Sequence, residues 1–169
     1  MLSAVSADQL SNSTPCASWD VAGLINHMVG AQYFFINGMQ GVESGEAPDF
    51  AAGDFLASFD EAAAACVAEF QAEGAMEKIV SLPFGQLPAP AVMGLAVTDT
   101  LAHAWDLAKA TGQGTDLAPE LSAGVLSQAR AMVSDAFRGP EGAPFGPIQE
   151  APEGASNADQ LAAFLGRVV

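Results

Sequence analysis

Residues 90–111 read PAVMGLAVTDTLAHAWDLAKAT, and this stretch decides the class of fold. Pro90 suits a first helical turn and Gly112 suits a helix stop; between them the alanines and the scarcity of β-branched runs favour helix. Val92, Leu95, Ala96, Asp99, His103 and Asp106 recur at three- and four-residue spacing, so they fall on one side. The next face carries Met93, Val97, Leu101 and Trp105, the pattern of ordinary core. A helix built this way packs against others and also places two carboxylates and an imidazole in one stripe.

The flanking segments repeat the helical period. Residues 20–40 start at Trp19-Asp20, where Asp20 can cap the helix and Trp19 can staple onto Leu24. Leu24, His27, Met28, Ala31, Phe34 and Phe35 then share a face. Residues 54–73 begin at Asp54 and place Phe55, Phe59, Ala62, Cys66 and Phe70 together. Residues 118–137 open near Pro119 and run through Leu121, Val125, Leu126 and Met132, and a shorter amphipathic piece spans 157–167. Gly, Pro and acidic clusters mark loops at 41–49, 83–90, 111–119 and 139–157. Lys78 to Phe84, KIVSLPF, is the one plausible extended arm, an isolated strand or half of a hairpin. The expectation is an all-α single domain over residues 1–169, with three or four core helices in a bundle, a C-terminal helix and a short extended arm.

Composition narrows the function classes. The chain has 169 residues, half of them hydrophobic, enough for a sizeable core. Five basic against 20 acidic residues leave a net charge of −15, which repels phosphate backbones and anionic lipid and argues against nucleic acid as a partner. Residues 21–42 and 79–98 lack charged side chains, but amides in the first and three prolines in the second argue against membrane spans. The first basic residue is Lys78, so no positive signal-peptide region precedes it, and a cytoplasmic location is expected. Cys16 and Cys66 form neither a disulfide framework nor a CxxC pair. Cys66 falls in a core phase, and Cys16 reads as a small hydrophobe packed in a turn before a helix N-terminus, in preference to a thiol acidified there.

The two histidines carry the chemical signal. Asp99 and His103, at i and i+4, can reach one cation, and a third ligand from a facing helix would complete a site inside a bundle. His27 is the only other imidazole. The candidate metal site is therefore His27, Asp99 and His103, with at least one position left to water, the open arrangement of catalytic zinc sites. The same spacing also fits a satisfied core histidine, or an Asp99 that orients His103 as a general base. Asp106 reads either as a residue behind the ligands or, in preference, as a solvated charge. Met28, Phe34 and Leu95 are candidate walls of a substrate pocket. No catalytic residue beyond the ligands is assigned.

Several short motifs then fall in a familiar order: Thr14-Pro-Cys-x-x-Trp19, Leu24-Ile-Asn-His27-Met-Val-Gly30, Leu82-Pro-Phe-Gly85, Asp99-x-x-x-His103-Ala-Trp-Asp-Leu-Ala108 followed by Thr111-Gly-Gln113, and Phe145-Gly-Pro147. Together, from about Ser6 to the C-terminus, they resemble the small actinobacterial-type metal-binding proteins of the DinB-like superfamily, similar to the N-terminal domain of mycothiol-dependent maleylpyruvate isomerase. The resemblance implies an up-down-down-up four-helix bundle holding a divalent cation, its ligands falling on His27, Asp99 and His103. That isomerase has Glu at the acidic position, and Asp99 is one methylene shorter. Zinc is the expected cation, with nickel, iron and manganese as alternatives. The family's first helix is long, whereas Met1 to Leu10 allows at most about two and a half turns. The first helix is thus expected to be shortened, and the groove so exposed to favour a homodimer. The implied activity is a metal-dependent thiol transferase or isomerase joining a mycothiol-type thiol to a small electrophile. Isomerase activity itself is not expected, because that enzyme's separate C-terminal domain has no counterpart here. The alternatives are a non-catalytic metal- or ligand-binding module and a helical dimerisation domain with core histidines.

Overall fold

The computed structural model describes residues 1–16, 18–140 and 143–169. It is mostly helical, with α1 (Val21–Gln40), α2 (Phe55–Gln71), a hairpin of β1 (Ile79–Leu82) and β2 (Gly85–Pro88), then α3 (Ala89–Thr111), α4 (Pro119–Met132) and α5 (Asn157–Phe164). Contacts gather into two compact units, Ser3–Leu24 with Thr100–Val169, and Ile25–Asp99.

In the unit Ile25–Asp99, the core joins Phe35, Ile36 and Met39 of α1, Cys66 and Phe70 of α2, Val80 and Leu82 of β1, and Val92 and Ala96 of α3. Asp54 caps α2 by accepting from the Ala57 amide at 3.0 Å. The extended arm is a complete hairpin rather than an isolated strand. β1 and β2 pair antiparallel from Ile79 opposite Pro88 to Leu82 opposite Gly85, around a Pro83-Phe84 turn. The second strand falls where a loop was expected, because Gly85-Gln-Leu-Pro88 has little strand propensity and forms by pairing with β1. Val80 and Leu82 point inward while Ile79 and Ser81 face out. Met93, expected in the core, is instead 39% exposed.

In the other unit, Asp20 caps α1 as expected, its carboxylate accepting from the Gly23 amide at 2.8 Å. The first ten residues form no α-helix; they make two short 3-10 turns, Leu2–Ala4 and Ala7–Gln9. The second is tied to the end of α3 by Gln9, whose amide donates to the Thr111 carbonyl at 3.2 Å. Gly112, at φ +71°, terminates α3. Pro119 occupies the first turn of α4. α4 stops at Met132 rather than reaching residue 137, with Val133 extended and a 3-10 turn at Asp135–Phe137. Arg138 fixes that departure, its guanidinium donating to the carbonyls of Gly146 (3.1 Å) and Phe164 (2.7 Å). α5 packs on α4 and ends at Phe164 instead of 167. There Gly166, at φ +101°, turns the chain, and the Arg167 amide closes onto the Ala162 carbonyl at 2.9 Å. Trp105, Ala158 and Ala162 form one buried cluster of this unit, and the Trp105 indole donates to Asp159 at 2.8 Å. Among the described residues no helix is long and apolar enough to cross a membrane.

Candidate metal centre

Three side chains converge. His27 lies on the second turn of α1, and its Nε2 is 3.2 Å from Asp99 Oδ1. Asp99 and His103 are one turn apart on α3, so that helix alone fixes one relative to the other. Each of His27, Asp99 and His103 offers a ligand atom, and these atoms all lie within 4.8 Å of one another. The His27 and Asp99 side chains are 29% and 26% exposed, so this edge of the cluster meets solvent. A carboxylate only accepts, so His27 donates through Nε2 to Asp99. Two imidazoles and one carboxylate are a donor set that first-row divalent cations take, and the spacing is short enough for one ion to replace that hydrogen bond.

Behind His103 stands Asp106. Its side chain is fully buried, and Oδ2 lies 2.9 Å from His103 Nδ1. The reading of Asp106 as a solvated charge is therefore corrected. The reason is Arg167, whose Nη2 and Nε reach Asp106 Oδ2 and Oδ1 at 2.9 and 3.2 Å, a forked ion pair that makes burial tolerable. Burial pushes the Asp106 carboxyl up, but the hydrogen bonds from His103 and Arg167 and the positive charge beside it outweigh that and hold it below the usual carboxylate range. An ionised Asp106 requires the proton on His103 Nδ1, which directs the opposite ring nitrogen, Nε2, away from the pair. That is the tautomer a metal-binding histidine adopts when a carboxylate stands behind it.

Trp19 covers another side of His103, with ring centroids 5.6 Å apart and an edge-on contact. The turn that carries it is closed by a Ser13–Asp20 bridge, and the Thr14 hydroxyl donates to the Trp19 carbonyl at 2.8 Å. An open cleft of about 590 Å³ is lined by Ser13, Thr14, Ser18, Trp19, Asp20 and Gly23. The candidate wall residues belong to the Ile25–Asp99 unit. Met28 is buried, while Phe34 and Leu95 are half-buried against the core of the Ile25–Asp99 unit, with Phe34 stacked on Phe84. Cys66 is buried, and burial together with the nearby Glu69 raises its thiol to about 11, the behaviour of an inert core cysteine. Sequence reasoning missed Arg167 altogether and took Trp19 only as a staple; the aromatic before a capping Asp was the one local signal for the latter.

A family model described as the mycothiol maleylpyruvate isomerase N-terminal domain matches residues 1–108. Two proteins of Mycobacterium tuberculosis described as uncharacterized, one from strain CDC 1551 / Oshkosh and one from strain H37Rv, are each 46% identical to this chain over 170 residues. The alignments cover 100% of this chain and 91% of each relative. No solved structure matches it.

Proposed function

The chain belongs to the mycothiol maleylpyruvate isomerase N-terminal domain family, and from that premise we propose that it is a metal-dependent enzyme joining a mycothiol-type thiol to a small electrophile on a DinB-like four-helix scaffold. The observation that carries this reading is the convergence of His27, Asp99 and His103 within 4.8 Å, with two of the three side chains open to solvent. These residues would hold one divalent cation, zinc by preference for the donor set. When bound, such a cation supplies Lewis acidity that favours the thiolate form of a thiol at neutral pH.

The chain's own residues do the rest. Asp106 keeps the His103 proton on Nδ1. Trp19 shields one side of that imidazole from water. The nucleophile is the cofactor's own sulfur, so no side-chain nucleophile is required, in keeping with the buried, high-pKa thiol of Cys66.

The test begins with elemental analysis of the purified protein beside His27→Ala and His103→Ala, after dialysis against a mild chelator. About one divalent cation per chain in the wild type, lost in both variants, is expected from a single shared three-ligand site. Turnover of electrophiles with a low-molecular-weight thiol, abolished in the same variants, then distinguishes an enzyme from a metal-binding module. No metal in any sample, with all three folded alike, overturns the reading and leaves the two histidines as hydrogen-bonding partners of Asp99 and Asp106.

A further inference from the structure

We infer that Arg167, acting through Asp106, is a positioning residue for the His103 imidazole, so that the segment following α5 sets how tightly the centre holds its cation. The inference rests on the metal-centre reading above and extends it to a part of the chain outside the family match, which ends at residue 108. His103, Asp106 and Arg167 all lie within one compact unit.

Arg167 is fixed at both ends. Its amide donates to the Ala162 carbonyl at 2.9 Å, at the turn that ends α5. Its guanidinium donates to both carboxylate oxygens of Asp106 and, through Nη1, to the Leu165 carbonyl at 3.2 Å. Its side chain is 12% exposed and that of Asp106 is 0% exposed, so the fork is shielded from competing water. Asp106 is held from two directions, and it passes that constraint to His103 Nδ1 at 2.9 Å.

Removing the fork frees the carboxylate to rotate, and the imidazole it orients then turns with it and misplaces Nε2. A hydrogen-bonding partner behind a ligating histidine typically governs metal affinity by 10–100-fold. Lysine keeps the charge at position 167 but not the planar two-toothed geometry.

The experiment uses the full chain and Co²⁺ alone as probe, with Arg167→Met and Arg167→Lys beside the wild type. Affinity is read from the d–d absorption of the cobalt form. The imidazole tautomer is read on the metal-free proteins from long-range ¹⁵N correlation spectra. Only two histidines are present, so His27→Ala assigns both.

The expected result is a His103 in the Nδ1–H tautomer in the wild type, lost in Arg167→Met together with about tenfold of Co²⁺ affinity. Arg167→Lys should recover affinity to within roughly threefold of wild type. A residue that merely stabilised the fold would lower the melting temperature and leave both affinity and tautomer unchanged. That outcome in folded Arg167→Met overturns the inference, as does an Nε2–H tautomer in the wild type. If Arg167→Met does not fold, Arg167→Gln decides: loss of the Nδ1–H tautomer together with about tenfold of Co²⁺ affinity supports the inference, and both unchanged overturn it. A wild type that takes up no Co²⁺ refutes the metal centre itself, and the metal-free tautomer comparison still decides the role of Arg167.

Discussion

Gly166 lies where two backbone segments nearly touch, and replacing it with alanine tests the packing that delivers Arg167. A Cβ on Gly166 would stand 2.6 Å from Gly146 Cα, 2.8 Å from its carbonyl carbon and 2.9 Å from its nitrogen. Carbon atoms prefer about 3.5–4.0 Å, so one strand of backbone must move by about an ångström. Overpacking of that kind costs about 1–3 kcal/mol. A side chain at φ +101° adds about 1–2 kcal/mol, and the reduced freedom of the unfolded chain returns about 0.4–1 kcal/mol. The net loss for Gly166→Ala is about 3 kcal/mol, a drop of about 6–12 °C in melting temperature for a chain of this size. Gly154→Ala is the control, because Gly154 has φ +78° but nothing within 4 Å of its added carbon, so only about 1 kcal/mol should be lost. Urea and thermal unfolding followed by far-UV circular dichroism measure both. Equal losses at the two positions would refute the close approach and, with it, the account of how the residue after Gly166 is aimed.

Three further outcomes follow from other groups. Asp99→Asn, which keeps the shape but halves the carboxylate's donor oxygens, should leave the fold intact and weaken binding of a divalent cation by at least about tenfold, read by titration calorimetry. Asp159 is pushed up by burial, but hydrogen bonds from Trp105, Ser156 and Thr115 outweigh that and lower its carboxyl. Its folded-state value is thus below the unfolded one, so its contribution is complete above about pH 4 and lost as pH falls through the folded value. Asp159→Asn should accordingly lower stability at pH 6 and flatten the acid limb, seen in melting temperatures from pH 6 to 2. Cys66 is raised from 9.0 to about 11; stability should be full below about pH 9 and fall by as much as about 2 kcal/mol as pH rises through the folded value, and Cys66→Ala should remove that slope in urea titrations at alkaline pH.

The parts of the molecule that were legible in the sequence are those set by local rules. Asp20, Asp54 and Pro119 open helices, and Gly112 closes one, because capping and backbone freedom act within a turn. Asp99 and His103 could be paired on paper for the same reason, since four residues along a helix is one turn. What escaped was set by partners far along the chain. β2 exists only against β1. The end of α4 is drawn off by Arg138 reaching the Gly146 and Phe164 carbonyls. Asp106 looked solvated because its period alone was visible, while the cation that buries it lies 61 residues later. Helical periodicity carries no information at that range, and the C-terminal Gly166-Arg167 pair has no local signature beyond the glycine.

The edge-on packing of Trp19 against His103 would give a cation bound there its own optical reporter. Trp19 is half-buried and 5.6 Å from that imidazole, within quenching distance of a paramagnetic ion on the same ring. The chain's other indole, Trp105, is 1% exposed and engaged with Asp159, so it should emit at shorter wavelength and track α5 instead. Two fluorophores in distinct surroundings mean that the turn before α1 and the C-terminal helix both report in one unlabelled sample, on the red and blue sides of a single emission band.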